Sequence, residues 1–290
     1  MEPKNTVVLV TGGSSGFGHL TSMKLLAKGY TVYAGARRVD RMQDIVQAGG
    51  TAVRLDVQDD ASVRAMVDRV VADQGHIDVL FNNAGYGNYG FIEAVSLDDI
   101  KRQFDVNVFG YARMIKAILP HMRKQRSGRI INTASLISHV SGLGMGWYAA
   151  SKHAVLAMTE ALRMEVEDFG IDVVEIEPGA VLTGFQGVAE SNLEAAAGIE
   201  DYAELQAQLL AMVKSTEKSA FTPDSTVDAV IHAIETDHPN AVYQTTIDAK
   251  IIPKVRGLLG TRLWGEVNRA MVRRAQSEEM GTRTDIRGDR

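Results

Sequence analysis

Three side chains near the middle of the chain are suited to moving a proton to or from an oxygen atom. Tyr148 and Lys152 are four residues apart, so in a helix they share a face, and Ser135 precedes Tyr148 by 13 residues. A free phenol has a pKa of about 10. An ammonium about 4 Å away favours the phenolate by about 4 kcal/mol at an effective dielectric constant of about 20. We therefore predict that Lys152 lowers the Tyr148 pKa to about 7, and that Ser135 stabilises the substrate oxygen.

A glycine-rich segment, Thr11–Gly18, follows the first predicted strand and opens the first predicted helix. Gly12 permits a tight turn, Gly16 lets backbone amides approach a pyrophosphate, and Gly18 lets the helix pack closely on the sheet. The helix N-terminus adds partial positive charge. Glycines in this pattern also occur in ordinary strand–helix turns, but the position on the first strand favours phosphate binding.

The end of the second predicted strand bears on the choice of dinucleotide. A carboxylate at this position normally binds the adenosine ribose hydroxyls and repels a 2′-phosphate. Here the position is Ala36, followed by Arg37 and Arg38. Two guanidinium groups suit a phosphate, although exposed arginines after a strand are the alternative. The sequence favours NADP(H) over NAD(H).

Short β-branched runs alternate with longer helical stretches along the chain. This alternation predicts a parallel α/β sheet of about seven strands with helices on both faces. Ligands of such sheets bind beyond the carboxyl ends of the strands. The predicted strands are Thr6–Val10, Thr31–Ala36, Ala52–Leu55, Ile77–Phe81, Arg129–Asn132, Asp172–Ile176 and Ala241–Tyr243.

The helical segments complete one predicted domain, residues 1–276. The helices are expected at Gly16–Lys28, Asp40–Ala48, Ala61–Ala72, Ser96–Met122, Trp147–Phe169, from Thr222-Pro223 onward, and near the C-terminus. Residues 184–220 interrupt the alternation and are expected to form a lid over the substrate. The tail Ser277–Arg290 carries seven charges and is expected to be poorly ordered.

The order of these motifs resembles that of the short-chain dehydrogenase/reductase family. The resemblance covers roughly residues 5 to 250. It is carried by Gly-x-x-x-Gly-x-Gly from Gly12, Asn82-Asn83-Ala84-Gly85, Asn107, Ser135, Tyr148-x-x-x-Lys152 and Pro178-Gly179-x-x-x-Thr183.

The resemblance implies a single-domain, doubly wound Rossmann-type sheet and a hydride transfer between a nicotinamide and a carbon that bears a hydroxyl or carbonyl oxygen. Tyr148 is then the general acid/base and Ser135 stabilises the reacting oxygen. Lys152 reaches the nicotinamide ribose, and Asn107 holds a water that links Lys152 to solvent. These four residues are the expected catalytic set.

The resemblance also implies a set of cofactor-binding residues. Asp56 is expected to accept a hydrogen bond from the adenine amino group, and Val181 and Thr183 to hold the nicotinamide carboxamide. The expected set is Gly12, Ser14, Ser15, Gly16, Phe17, Gly18, Arg37, Arg38, Asp56, Val57, Asn83, Ala84, Gly85, Tyr148, Lys152, Pro178, Gly179, Val181 and Thr183.

Composition argues against several other classes of protein. The 290 residues carry a net charge of −5 and no cysteine, which argues against a nucleic-acid partner and excludes disulfides and thiolate metal sites. The sequence contains no run of 18 or more apolar residues, the length that predicts a membrane span, and no signal segment is apparent. We expect a soluble cytoplasmic protein with no membrane partner. The histidines show no metal-ligand spacing, so no catalytic metal is expected.

His139 lies close to Ser135, but no acidic partner or nucleophile elbow accompanies it, so a loop histidine is favoured over a hydrolase site. A catalytically silent nucleotide sensor is the alternative to an enzyme. Such proteins usually lose the tyrosine or the lysine, whereas this chain keeps both.

The substrate and the assembly are less constrained. Apolar and aromatic residues flank the motifs and indicate a hydrophobic alcohol or ketone, although core packing is an equal alternative: Tyr86, Met145, Trp147 and Phe185. A homodimer or homotetramer is expected through the helices Ser96–Met122 and Trp147–Phe169. The alternative is that the chain's own segment Ile251–Met271 covers that surface.

Overall fold

A seven-stranded parallel sheet forms the centre of the computed structural model, which describes residues 2–183, 187, 190–193 and 199–288. The strands are β1 Val7–Thr11, β2 Thr31–Ala36, β3 Thr51–Arg54, β4 Val79–Asn82, β5 Gly128–Thr133, β6 Ile171–Glu177 and β7 Val242–Gln244. Their order is β3-β2-β1-β4-β5-β6-β7, and every neighbouring pair is parallel. The predicted Rossmann-type sheet is confirmed.

Helices cover both faces of this sheet. They are α1 Gly16–Ala27, α2 Gln43–Gln47, α3 Asp60–Gln74, α4 Leu97–Phe104, α5 Gly110–Gln125, α6 Gly146–Val166, α7 Ala203–Ser219, α8 Asp224–Glu235 and α9 Ile247–Gly288. The last of these departs from helical geometry at Gly260, where φ is 69°.

The strands are apolar on both faces because each face has its own helical cover. On one face, Leu9 and Ile130 pack with α3 and α5. On the other face, Val10 and Ile131 pack with α1 and α8. All five residues of β1 are therefore buried. Side chains that can meet solvent or a ligand are left at the strand ends.

One long predicted helix contains a π-helical turn in the structure. The segment expected as Ser96–Met122 consists of α4, a π-helical turn at Asp105–Phe109, and α5. The turn closes with an i→i+5 bond from the Gly110 amide to the Asp105 carbonyl. The predicted long helix is therefore present as one continuous helical segment that begins at the Ser96 cap, with a π-helical turn that the sequence pattern did not indicate.

The C-terminal third differs from its sequence pattern in smaller ways. Pro223 is the N-cap of α8 rather than its first helical residue, and no side chain caps that helix. Within the predicted lid, α7 is an ordinary helix, while most of 184–198 lies outside the described residues. The helical backbone of α9 extends into the predicted tail as far as Gly288. The domain limits and the disorder of the tail stay predictions. None of the described helices meets the length and hydropathy needed to cross a bilayer.

Strand β6 carries two buried glutamates at alternate positions, so both point to the same face. Glu177 is paired, because its carboxylate accepts from Gln244 Nε2 at 3.0 Å and contacts His139. Neither carboxyl oxygen of Glu175 has a hydrogen-bond partner in the described part of the chain. Burial, followed by the charge of Glu177, raises the pKa of Glu175 to about 8. Glu175 therefore holds its proton at neutral pH.

This burial predicts a pH-dependent effect of Glu175→Gln on stability. As pH rises from 4.5, the usual pKa of this side chain, to about 8, the unfolded wild type loses the proton that the folded wild type keeps. The wild-type free energy of unfolding should then fall by up to about 1.4 kcal/mol per pH unit relative to the variant. Urea denaturation of both proteins at pH 5 and pH 8 measures the difference.

The exposed Glu165→Gln on α6 is the matched control, because no desolvation cost attaches to its charge. A Glu175→Gln effect of the same size at both pH values would contradict the prediction.

Candidate active site

The carboxyl ends of six strands, β1 to β6, border one cleft of about 1210 Å³. Nineteen of the predicted site residues line it together: Gly12, Ser14, Ser15, Gly16, Phe17, Arg37, Arg38, Asp56, Val57, Asn83, Ala84, Gly85, Ser135, Tyr148, Lys152, Pro178, Gly179, Val181 and Thr183. The lining does not include Gly18 or Asn107. The roles of all these residues remain predictions.

The glycine-rich segment has the shape of a cradle because larger residues do not fit there. Gly12 has a φ of 73°, and a Cβ on it would lie 3.0 Å from the Ala84 Cα atom. A Cβ on Gly18 would lie 2.7 Å from the Gly12 carbonyl oxygen. The Thr11 hydroxyl accepts from the amides of Asn83 at 2.9 Å and Ala84 at 3.0 Å. These hydrogen bonds hold the ends of β1 and β4 together. The glycines leave a backbone surface without side chains between them, which fits a dinucleotide pyrophosphate.

The far end of the cleft is cationic. Arg37, Arg38 and Arg41 are exposed and line it after β2. The strand ends at the buried Ala36, so no carboxylate occupies the position that would repel a phosphate. The sequence prediction did not include Arg41. It lies in a short 3₁₀ turn, Val39–Met42, that brings it back to the cleft.

Three of the catalytic candidates, Ser135, Tyr148 and Lys152, line the cleft and are buried. Ser135 caps a short 3₁₀ turn, and its Oγ accepts from the Ile137 amide at 3.1 Å. The Ser135 side chain also forms a hydrogen bond with the Tyr148 hydroxyl that lowers the pKa of the phenol. Lys152 Nζ donates to the carbonyl of Thr133, the last residue of β5, at 2.8 Å. The predicted grouping of a tyrosine, a serine and a lysine is present.

The protonation states differ from those expected. Burial raises the pKa of Tyr148 to about 12, and the Ser135 hydrogen bond offsets only part of that rise. Burial lowers the pKa of Lys152 to about 8, against the opposing charge of Glu175. The expectation that Lys152 brings the Tyr148 pKa to about 7 is therefore wrong, because burial disfavours the charged phenolate. Tyr148 keeps its proton at neutral pH.

Asn107 lies in the π-helical turn and connects two parts of the site from behind. Its Oδ1 accepts from the Tyr86 amide at 3.0 Å, and its Nδ2 donates to the Tyr86 carbonyl at 2.9 Å and to Ser151 Oγ at 3.2 Å. Ser151 Oγ donates in turn to the Tyr148 carbonyl at 2.7 Å. Asn107 thus holds the loop after Gly85 against the helix that carries Tyr148.

The structure corrects the interpretation of His139. Its Nε2 lies 2.5 Å from Glu177 Oε1, so the expectation that no acidic partner accompanies it is wrong. The hydrogen bond that His139 donates to this buried carboxylate is the main cause that raises the pKa of His139. The histidine lines a separate, smaller pocket with Glu160 and Lys250, outside the main cleft. The pair is distant in sequence, which is why the pattern did not reveal it.

The substrate side of the cleft is largely apolar. Of the flanking residues singled out in the sequence, Tyr86 and Met145 line the cleft. Trp147 does not line it; its Nε1 donates to the Ile92 carbonyl at 3.2 Å. Phe185 lies outside the described residues.

Long-range contacts supply the remaining apolar wall, which sequence reasoning missed. These lining residues are Tyr89, Val140, Met212, Trp264 and Met271. Trp264 is fixed there because its Nε1 donates to the Ser141 carbonyl at 2.9 Å. Only the fold brings α7 and α9 to this position. Within the described residues, no cluster of three or more His, Asp or Glu side chains is placed to hold a metal ion.

Comparisons with known proteins agree with this geometry. The family model described as short chain dehydrogenase matches residues 6–194. The 3-ketodihydrosphingosine reductase of Bacteroides thetaiotaomicron is 36% identical over 241 residues, which cover 82% of this chain and 86% of that protein.

Two similar solved structures contain different cofactors. A short-chain dehydrogenase/reductase from Burkholderia phymatum in complex with NAD has a TM-score of 0.78 and 27% identity, covering 89% of this chain and 95% of that chain. The closed form of serine dehydrogenase complexed with NADP⁺ has a TM-score of 0.72 and 27% identity, covering 82% of this chain and 94% of that chain. With the family match and the cleft geometry, they lead to one conclusion: this chain belongs to the short-chain dehydrogenase/reductase family of oxidoreductases.

Proposed function

We propose that this protein is an NADP(H)-dependent oxidoreductase that interconverts a hydrophobic secondary alcohol and ketone, or a primary alcohol and aldehyde. The observation that carries the proposal is the buried hydrogen bond between Ser135 and Tyr148 at the centre of the cleft. It places an acid beside a hydrogen-bonding group, next to a cradle that fits a dinucleotide.

Tyr148 acts as the proton donor when a carbonyl is reduced. Its raised pKa of about 12 keeps the hydroxyl protonated until a more basic oxygen develops in the substrate. Ser135 Oγ accepts from the Ile137 amide and hydrogen-bonds the Tyr148 hydroxyl, so a substrate oxygen that replaces this second contact would accept the Ser135 proton. The nicotinamide, when bound, supplies the hydride. In the alcohol-oxidation direction, Tyr148 must first lose its proton, and the resulting phenolate then accepts the proton of the alcohol.

Lys152 makes the loss of the Tyr148 proton less costly. The two residues share one face of α6, and the Thr133 carbonyl fixes the position of the ammonium. A positive charge held beside the phenol stabilises the phenolate that forms during the reaction. Lys152 is also the residue that would hold the nicotinamide ribose.

The arginines at the end of β2 support NADP(H) as the cofactor. Arg37, Arg38 and Arg41 together present guanidinium groups where the 2′-phosphate of the cofactor would lie. Ala36 leaves no acidic competitor there. The similar structures include one with NAD and one with NADP⁺, so similarity alone does not select the cofactor. We therefore infer the preference from the side chains at this position.

A hydrophobic carbonyl compound fits the apolar wall formed by Met145, Met212 and Trp264. The similarity to a 3-ketodihydrosphingosine reductase supports the same class of substrate. The keto group would lie against Tyr148, and the apolar portion would extend toward α7 and α9.

Tyr148→Phe should remove the transferable proton and keep the ring. We expect kcat to fall by about 10²–10⁴-fold with NADPH binding unchanged, measured by NADPH absorbance with a ketone panel and by titration of cofactor fluorescence. Tyr89→Phe is the control, since its ring centroid lies 5.7 Å from that of Tyr148 but the mechanism assigns it no proton. A Tyr148→Phe variant that retains more than about a tenth of the wild-type turnover would contradict the assignment.

Arg37→Ala should weaken NADPH binding by about tenfold or more and NADH binding far less, because only NADPH loses a charge-assisted bond. Replacing Ala36 by Asp as well should shift the preference toward NADH. Dissociation constants for both cofactors measure the effect. Arg64→Ala, an exposed arginine on α3, is the control. Equal losses for the two cofactors would show that Arg37 does not contact the phosphate.

We also propose a homodimer or homotetramer formed through α5 and α6. Four apolar residues on the outer side of α6 are exposed at helical spacing: Ala150, Ala157, Ala161 and Met164. Small residues let two helices approach closely, and a twofold axis would place the same surface on both subunits.

Ala157→Glu should reduce the assembly toward the monomer mass of 31.5 kDa in light scattering at micromolar concentration, because each interface would bury unpaired charges. Ala72→Glu on α3 should leave the mass unchanged. A wild-type monomer would contradict the oligomer itself, while an assembly that tolerates Ala157→Glu would contradict this interface.

A further inference from the structure

Helix α9 exposes apolar side chains along one face of its first half. Ile247, Ile251, Val255 and Leu258 are spaced by four, four and three residues, which places them in a single row. Each is exposed, and Leu258 is exposed over 87% of its surface. A row of this kind is unusual on a helix that faces only water.

A second set of exposed apolar residues follows the break at Gly260. Leu263, Val267 and Met271 are spaced by four residues, and all three are exposed. We call these three residues and the four before Gly260 the apolar stripe. A larger contiguous apolar patch generally marks a surface that binds a partner.

The stripe is accompanied by positive charge. Residues 247–276 contain seven basic and two acidic side chains, a net charge of +5, in a chain whose net charge is −5. Lys254, Arg262, Arg269 and Arg273 are exposed beside the stripe. One of the two acidic residues, Asp248, is used inside the protein, where its carboxylate accepts from the Ala180 amide at 2.8 Å.

The opposite side of α9 is anchored to the protein. Val272 is buried with Leu209 and Val213 of α7. Ala249 is buried against Leu136 and Val140. These contacts hold the helix with its apolar stripe and its basic residues outward.

We propose that α9 docks on the surface of an anionic lipid bilayer, with the apolar stripe inserted among the acyl chains and the basic residues at the headgroups. Exposed apolar residues with flanking lysines and arginines are the pattern of helices that lie in the membrane interface. Such docking requires no membrane-spanning helix. The expectation of no membrane partner was based on the lack of a membrane-spanning segment in the sequence.

A second copy of this chain is the competing occupant, and the charge argues against it. A twofold contact would place the same surface of each copy against the other. Two copies of the basic segment 247–276 would then face one another, and like charges disfavour that contact. An anionic bilayer supplies the opposite sign.

Docking would also place the cleft beside the bilayer. Met271 belongs to the stripe and lines the cleft, and Trp264 on the same helix lines it as well. A lipid-like ketone could pass from the membrane along apolar side chains to Tyr148. This route rests on the proposed function, whereas docking itself does not.

Vesicle sedimentation tests the docking directly. The full chain with NADPH is mixed with vesicles of phosphatidylcholine alone, or of phosphatidylcholine and phosphatidylglycerol in equal parts. We expect binding to the anionic vesicles that weakens with added salt and is far lower on the neutral vesicles. Absence of wild-type binding, or equal binding to both compositions, would overturn the proposal.

Two variants assign the binding to α9. Lys254→Gln combined with Arg262→Gln should lower the partition coefficient by roughly 25-fold, about fivefold for each charge. Leu258→Ser should lower it by about tenfold or more. Val46→Ser, an exposed apolar residue on α2, is the control and should bind as the wild type does. If the α9 variants bind normally, the surface is wrongly assigned.

Light scattering and turnover separate the other outcomes. If Leu258→Ser lowers the oligomeric mass and the wild type does not bind vesicles, the apolar stripe is a subunit interface and the proposal fails. Leu258→Ser should lower kcat/KM for a long-chain ketone embedded in anionic vesicles and leave kcat/KM for a short soluble ketone unchanged. If the wild type binds vesicles but reduces neither ketone, the proposed function fails and the docking stands.

Discussion

Helices cover the central sheet on both faces, so polar side chains near the strand ends are buried, and hydrogen bonds join three of them. Asn82 at the end of β4 donates to the Asn132 side chain of β5 at 3.0 Å, and Asn132 donates to Thr159 of α6 at 3.0 Å. All three are fully buried. Without its hydrogen bond, each of these polar side chains would cost about 1–3 kcal/mol in desolvation free energy. The bonds therefore fix α6 relative to the strands, and α6 carries the tyrosine and the lysine of the cleft.

The same burial determines the charge states at the centre of the cleft. It favours the uncharged form of both the phenol and the ammonium, which raises the pKa of Tyr148 to about 12 and lowers that of Lys152 to about 8. A phenol that holds its proton is a ready acid for carbonyl reduction. The lysine lines the same cleft, where its amine donates to the Thr133 carbonyl at 2.8 Å.

The sequence predicted the features that depend on residues close together in the chain. Strand β2 was predicted with its observed limits because its β-branched residues lie between glycine- and arginine-containing turns. The grouping of Ser135, Tyr148 and Lys152 followed from motif order. The pairing of His139 with Glu177 and the entry of Trp264 into the cleft did not, because each joins residues separated by tens of positions or more. The Tyr148 pKa was also mispredicted, because it depends on burial and a Coulomb attraction between two side chains contains no desolvation cost.

The π-helical turn between α4 and α5 shifts the phase of the helix. Each residue of an α-helix rotates the chain by about 100°, and the i→i+5 bond accommodates one more residue than the usual i→i+4 turn. Phe104, before the turn, packs toward Val155 of α6, whereas Met114 and Ile118, after it, pack into the core beneath the sheet. A single continuous segment can thus serve two differently oriented surfaces. A one-residue deletion between Asp105 and Phe109 would restore the ordinary period, and it would rotate either Asn107 out of register with Tyr86 or α5 out of register with the sheet.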